Sequence, residues 1–111
     1  LLPKSCTMLP GISCDDFIVR ADGTANIILR NGGNRGISFW ELQIENIKGK
    51  CLPVGWSGSK WPKGEQIHCM FEGLTKGERG DGYSETMELT YIEEGNSIEH
   101  SVTGQIATRY E

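Results

Sequence analysis

The stretch Ile37-Ser38-Phe39-Trp40-Glu41-Leu42-Gln43-Ile44-Glu45-Asn46-Ile47 decides the fold class. In it Trp40, Leu42 and Ile44 alternate with Glu41, Gln43 and Glu45. A strand turns successive side chains to opposite faces, so this period of two describes a strand with one buried and one wet face. Trp40, Leu42 and Ile44 are expected to be buried together, with Glu41, Gln43 and Glu45 toward solvent. The step from Ile44 to Ile47 breaks the period and predicts a bulge or strand end near Asn46.

The same reading extends in both directions. Upstream lie the turn Asn31-Gly32-Gly33-Asn34, a strand over 25–30, the turn Ala21-Asp22-Gly23-Thr24 with its Asp-Gly hairpin signal, and a strand over 13–21. In that first strand Phe17 and Val19 alternate with Asp16, Ile18 and Arg20. Residues 1–11 hold Pro3, Pro10 and Cys6 and read as an extended arm, because proline fixes φ and removes a donor. Downstream, residues 49–65 read as a loop carrying Trp56 and Trp61 among Gly49, Pro53, Gly55, Gly58, Pro62 and Gly64. A strand over 65–72 places Ile67, Cys69 and Phe71 opposite Gln66, His68 and Met70. After a glycine-rich polar segment, strands over 84–92 and 97–110 are joined by Glu94-Gly95-Asn96. Six or seven short strands, each closed by a turn, with no convincing helix, predict one all-β domain over 1–111, an antiparallel β-sandwich or small barrel.

Cys6, Cys14, Cys51 and Cys69 stand at intervals that fit neither a zinc ribbon nor a C-x2-C redox pair. An even count in a short chain reads as two disulfides, and disulfides persist outside the cytosol. Of three possible pairings, Cys6–Cys14 with Cys51–Cys69 is the one predicted. The first would pin the arm to the opening strand, and the second would tie the segment after the long strand to the next one. The expected location is extracellular or at the cell surface. The chain begins Leu-Leu-Pro, without an initiator Met or a signal peptide, as a mature or trimmed segment would, so any anchor would precede Leu1. No apolar run approaches the roughly 20 residues that cross a bilayer. A net charge of -4 argues against a nucleic-acid surface.

Little in the sequence points to catalysis. His68 and His100 fall in different strands, His68 on an outward register and His100 half-buried by its pattern. The predicted disulfides leave no free thiol for a Cys–His pair, and no Gly-x-Ser-x-Gly elbow exists. Asp15-Asp16, Asp22, Asp81 and Glu93-Glu94 are numerous enough for calcium but lack its loop spacing, so turns and strand caps explain them better. No cofactor and no metal are expected. Trp56 and Trp61 are the candidate binding residues, a platform for stacking on sugar rings; the plainer reading is that they cover one end of the sandwich. Arg79-Gly80-Asp81 matches a tripeptide that adhesive proteins present to integrins, and is also ordinary turn chemistry.

Two segments carry a family likeness. Leu1-Leu2-Pro3-x-x-Cys6 followed by Pro10-Gly11-Ile12-Ser13-Cys14-x-Asp16-Phe17 resembles the start of the extracellular domain of archaeal pilin-like proteins, which bear a class III, prepilin-type signal and an N-terminal hydrophobic helix. Thr90-Tyr91 through to His100-Ser101-x-Thr103-Gly104-Gln105-Ile106 resembles their closing hairpin. Between these ends only the rhythm is similar: an Asp-Gly turn, Leu29-Arg30-Asn31-Gly32-Gly33, then a long alternating strand. The resemblance implies an immunoglobulin-like β-sandwich displayed at the cell surface, with no catalytic residues. It also implies that the partners are other pilin-like subunits of a type IV pilus, met through a helix this chain lacks, and that the membrane is reached only through that helix. The rival expectation is a secreted β-sandwich module that binds surface glycans through Trp56 and Trp61.

Overall fold

The computed structural model describes residues 4–8 and 10–111, so residues 1–3 and 9 of the expected arm lie outside the described residues. Among the described residues nine strands follow in order: β1 (Ser5–Met8), β2 (Ile12–Val19), β3 (Ala25–Asn31), β4 (Ile37–Ile44), β5 (Ile47–Lys48), β6 (Lys50–Val54), β7 (Gln66–Phe71), β8 (Gly82–Glu93) and β9 (Glu99–Arg109). They form two antiparallel sheets, β1-β9-β8-β4-β5 and β2-β3-β7-β6. Val19, Ile27, Leu29, Ile67, Cys69 and Phe71 of the smaller sheet share one core with Leu42, Ile44, Met87, Leu89 and Ile106 of the larger. This is the sandwich arrangement in which each strand gives alternate residues to the interior. Among the described residues no helix is long and apolar enough to cross a membrane.

Leu42 and Ile44 are fully buried as expected, while Trp40 is half-buried at the margin of the core. The strand does end before Asn46. Glu45 and Asn46 take φ of 55° and 61°, and Ile44 pairs with Ile47 across them. Left-handed values at both central residues define the two-residue turn whose twist suits a hairpin. That turn removes Glu45 from the solvent face of the strand, which corrects its expected place.

Three strands escaped the sequence reading. β1 makes the arm part of the larger sheet, with Cys6 opposite Ile106 and Met8 opposite Gly104. A Cβ at Gly104 would collide with the Thr7 carbonyl and the Met8 sulfur, so glycine permits this approach. β5 follows the Glu45-Asn46 turn, and β6 replaces the first part of the expected loop over 49–65. Cys51 and Cys69 face each other with Cα atoms 3.9 Å apart, the close spacing of a non-hydrogen-bonded pair. By alternation Pro53 occupies the same kind of position, so its missing N–H lies on the free edge of the sheet, where proline is tolerated. On that edge the Cys51 carbonyl meets Trp40 Nε1 at 3.5 Å. Proline and indole together blunt β6 against pairing with another chain. Both predicted disulfides are present, Cys6–Cys14 and Cys51–Cys69.

Candidate functional site

Trp40, Trp56 and Trp61 meet at one end of the sandwich. Trp40 stands edge-on to the other two, with ring centroids 6.1 and 6.0 Å away. Edge-to-face packing places the positive rim of one ring on the negative face of another. Trp56 Nε1 donates to the Gln66 carbonyl at 2.7 Å, and Trp61 Nε1 to the Glu65 carbonyl at 2.7 Å. Backbone hydrogen bonds of 2.9 and 2.7 Å join Trp61 to Ile37 in both directions. Trp61 is wholly buried, so it offers no ring face to a sugar, and Trp56 is half-buried. The geometry fits the plainer of the two expectations, a cover over one end of the sandwich, and leaves Trp61 out of any platform. A flexible-looking loop is closed inward because its large apolar rings and its indole N–H groups both find partners in the gap between the sheets.

Asn31 secures the same end. It is 1% exposed, and its Nδ2 donates to the Arg35 and Trp61 carbonyls while its Oδ1 accepts from Gly33 N. At the opposite end Glu45 accepts from Thr75 N, Thr75 Oγ1 and Tyr83 OH, the last two at 2.7 Å. Partial burial would raise the Glu45 carboxyl, but the hydrogen bonds from Tyr83 and Thr75 outweigh it and hold the group below the usual range. Burial first, and the facing carboxylate of Glu45 second, push the Tyr83 phenol far above its ordinary value. These contacts lock the start of β8, through Tyr83, and the segment before it, through Thr75, to the β4–β5 turn, and only the three-dimensional fold brings their members together.

The other candidates have structural explanations. Asp15 sits at the β2 bulge between Cys14 and Asp16, which turns it outward to bind Arg30, Gln66 and Ser13. Asp22 caps its own turn through Thr24 N and Oγ1, and Glu94 pairs with Lys60 at 3.1 Å. Among the described residues no group of three His, Cys, Asp or Glu side chains gathers as a metal site. His68 lies on the outer face of the smaller sheet, with its Nε2 2.9 Å from Asn26 Nδ2. His100 is exposed rather than half-buried and lies in the larger sheet against its register partner Tyr91, with ring centres 5.5 Å apart. Arg79, Gly80 and Asp81 are exposed in a turn whose backbone is held by Tyr110.

What remains available to a partner is the outside of the two sheets. The larger sheet presents Glu41, Gln43, Thr86, Glu88, Thr90, Ser101, Thr103 and Gln105 by alternation, with Gln105 donating to Thr86 and Thr90 paired with Ser101. The smaller sheet presents Ile18, Ile28, Leu52 and Met70 around His68 and Asn26. A groove of about 410 Å³ crosses this second face, with Phe17, Ile18 and Ile28 beside Lys4, Arg20, Asn26 and His68. Arg20 Nη1 donates to Asn26 Oδ1 at 2.6 Å within it. The sequence reading missed this face, although Ile27-Ile28-Leu29 and the Cys51-Leu52-Pro53-Val54 run are apolar in both registers. Such two-sided runs are the signal of a strand covered on both faces. Comparison with known proteins returned no match to any family model, curated protein or solved structure.

Proposed function

We propose that this chain is a non-enzymatic cell-surface domain, the globular head of an archaeal pilin-like subunit acting in filament assembly or adhesion. The observation that carries the reading is the pairing of the two ends on which the resemblance rests. Cys6, Thr7 and Met8 lie opposite Ile106, Gln105 and Gly104, and the Cys6–Cys14 bond ties this pair to β2. Both similar segments therefore belong to one structural unit. Gly104 has a steric reason to stand in the closing motif, and Cys6 and Cys14 have a covalent one to stand in the opening motif.

Strand order supports an immunoglobulin-like topology. With β2, β3, β6 and β7 read as A, B, D and E, the smaller sheet runs A-B-E-D; with β4, β5, β8 and β9 as C, C′, F and G, the larger runs G-F-C-C′. β1 adds an extra strand beside G. Two departures mark this chain: the disulfide within the smaller sheet joins D to E, and Trp40 on C packs on tryptophans rather than on an inter-sheet bridge. Two disulfides fit an oxidising compartment outside the cytosol. In this reading the assembly helix is encoded upstream of Leu1. Sequencing the gene there tests it: a prepilin cleavage site followed by about 20 apolar residues supports the reading, and an ordinary signal peptide with a further domain overturns it.

A further inference from the structure

Arg79-Gly80-Asp81 stands in a four-residue turn that opens at Glu78, just before β8. Asp81 N donates to the Glu78 carbonyl at 3.0 Å, and Gly80, third in the turn, has a φ of 92°. A left-handed φ at that position marks a type II turn, where glycine is the residue required. The turn is fastened to the end of β9. Gly80 N donates to the Tyr110 carbonyl at 2.9 Å, Tyr110 N to the Asp81 carbonyl at 2.9 Å, and Arg109 Nη1 to the Gly80 carbonyl at 2.6 Å. The segment leading into it is held by Leu74 N on the Gly23 carbonyl, Gly77 N on the Ala21 carbonyl and Tyr110 OH on the Thr75 carbonyl. Each of these bonds engages the segment through its backbone.

Turn chemistry therefore accounts for Gly80 and leaves the side chains of Arg79 and Asp81 without a task. Both residues are exposed. Asp15, Asp16 and Asp22 accept hydrogen bonds within the fold, and Arg20, Arg30 and Arg109 donate them. Among the described residues no hydrogen bond or ion pair engages the Asp81 carboxylate or the Arg79 guanidinium. We propose that Arg79 and Asp81 are a recognition site for a receptor of the integrin class, one that ligates a carboxylate at its own divalent cation and pairs a guanidinium with its own carboxylates. Asp81 supplies the hard oxygen ligand that such a cation takes. Arg79 supplies a planar fork that binds carboxylates bidentately. Glu78 and Arg109 keep the tip neutral as a whole, so the attraction lies in a matched pair of opposite charges and not in net charge. A turn already fixed by its backbone loses little freedom on binding. This inference goes beyond the pilin-head reading and does not rest on it.

The test is surface plasmon resonance of the immobilised chain against a panel of soluble ectodomains of Arg-Gly-Asp-dependent integrins, in Mn2+ and again in EDTA. The expected result is saturable binding in Mn2+ by at least one ectodomain, abolished by EDTA and by an excess of a cyclic Arg-Gly-Asp peptide. Affinity should fall about tenfold or more in Asp81→Glu, which keeps the charge and moves it, and in Arg79→Gln. Arg35→Gln removes the same charge from an exposed arginine outside the turn and should leave binding unchanged. The urea midpoints of Asp81→Glu and Arg79→Gln should match that of the parent, because neither side chain has a partner in the fold. No binding by any ectodomain, binding that survives EDTA, binding unchanged in either turn variant, or an equal loss in Arg35→Gln overturns the proposal. A shifted urea midpoint in a turn variant overturns it too, by giving that side chain a structural role. The upstream gene sequence has no bearing on this outcome, so the pilin reading and this one stand or fall separately.

Discussion

The outer faces of the two sheets obey opposite rules. On the larger sheet β8 alternates strictly, Met87 and Leu89 inward and Thr86, Glu88 and Thr90 outward, and its neighbour β9 adds Ser101, Thr103 and Gln105. Its outside is hydroxyl, amide and carboxylate, which water solvates well. On the smaller sheet Ile18, Ile28, Leu52 and Met70 stand where the other sheet has Thr and Ser. These apolar groups share the face with Asn26, His68 and Lys50, so it is a mixed surface where the other sheet is polar. The contrast teaches that the core and the two different outer surfaces are built from the same strands, in alternate residues.

The largest effects belong inside the sandwich, where both sheets are alike. Trp61→Ala should cost about 3–5 kcal/mol and Leu42→Ala about 2–5 kcal/mol in urea unfolding, because each opens a cavity in packed surroundings. Thr103→Ala on the polar face should stay within about 0.5 kcal/mol. A loss below about 0.5 kcal/mol for Leu42→Ala would mean that the register of β4 is reversed. Next comes Asn31→Ala, which strips the Arg35 and Trp61 carbonyls of their buried donor; about 1–3 kcal/mol is expected, with intrinsic fluorescence changing as the tryptophan end loosens.

Glu45 sharpens the comparison of the two ends. Its carboxyl pKa is lowered by folding, so the unfolded chain binds its proton more readily. Its contribution is thus complete above the unfolded value near 4.3 and is lost as pH falls through the lower folded value. Glu45→Gln should flatten that part of the stability–pH profile, whereas Glu41→Gln should remove only an exposed surface pair. An unchanged profile in Glu45→Gln would show that the Tyr83 and Thr75 contacts do not persist in solution. The smallest stability effect is expected from Leu52→Ser, within about 0.5 kcal/mol, since its side chain has no place in the core. A cost like that of Leu42→Ala would remove Leu52 from the outer face and break the contrast.

The sequence made one half of this legible. Alternation in 37–44, 66–71 and 84–92 identified the strands that build the core, and glycine-rich turns located their ends. β1, β5 and β6 were hidden because they are short, flanked by proline or glycine, and stabilised by partners remote in sequence. Pro53 argues against a strand locally, and only its edge position reconciles it. Trp56 and Trp61 illustrate the same limit at the candidate site. Local composition left them open between a sugar platform and a cover over one end of the sandwich, and their indole donors are satisfied by carbonyls at the return of their own loop, as a cover requires. The Glu45–Tyr83 lock and the outer apolar face depend on register between strands, which no single segment encodes.

The proposed role as a pilin-like head is tested most directly by sedimentation of this chain beside the product of its whole gene. The head alone, net negative and with one polar sheet face, should sediment as a monomer at low concentration. The longer form should insert into membranes or sediment as filaments. Stable fibres from the head alone, or a longer form that stays monomeric in water, would contradict the account.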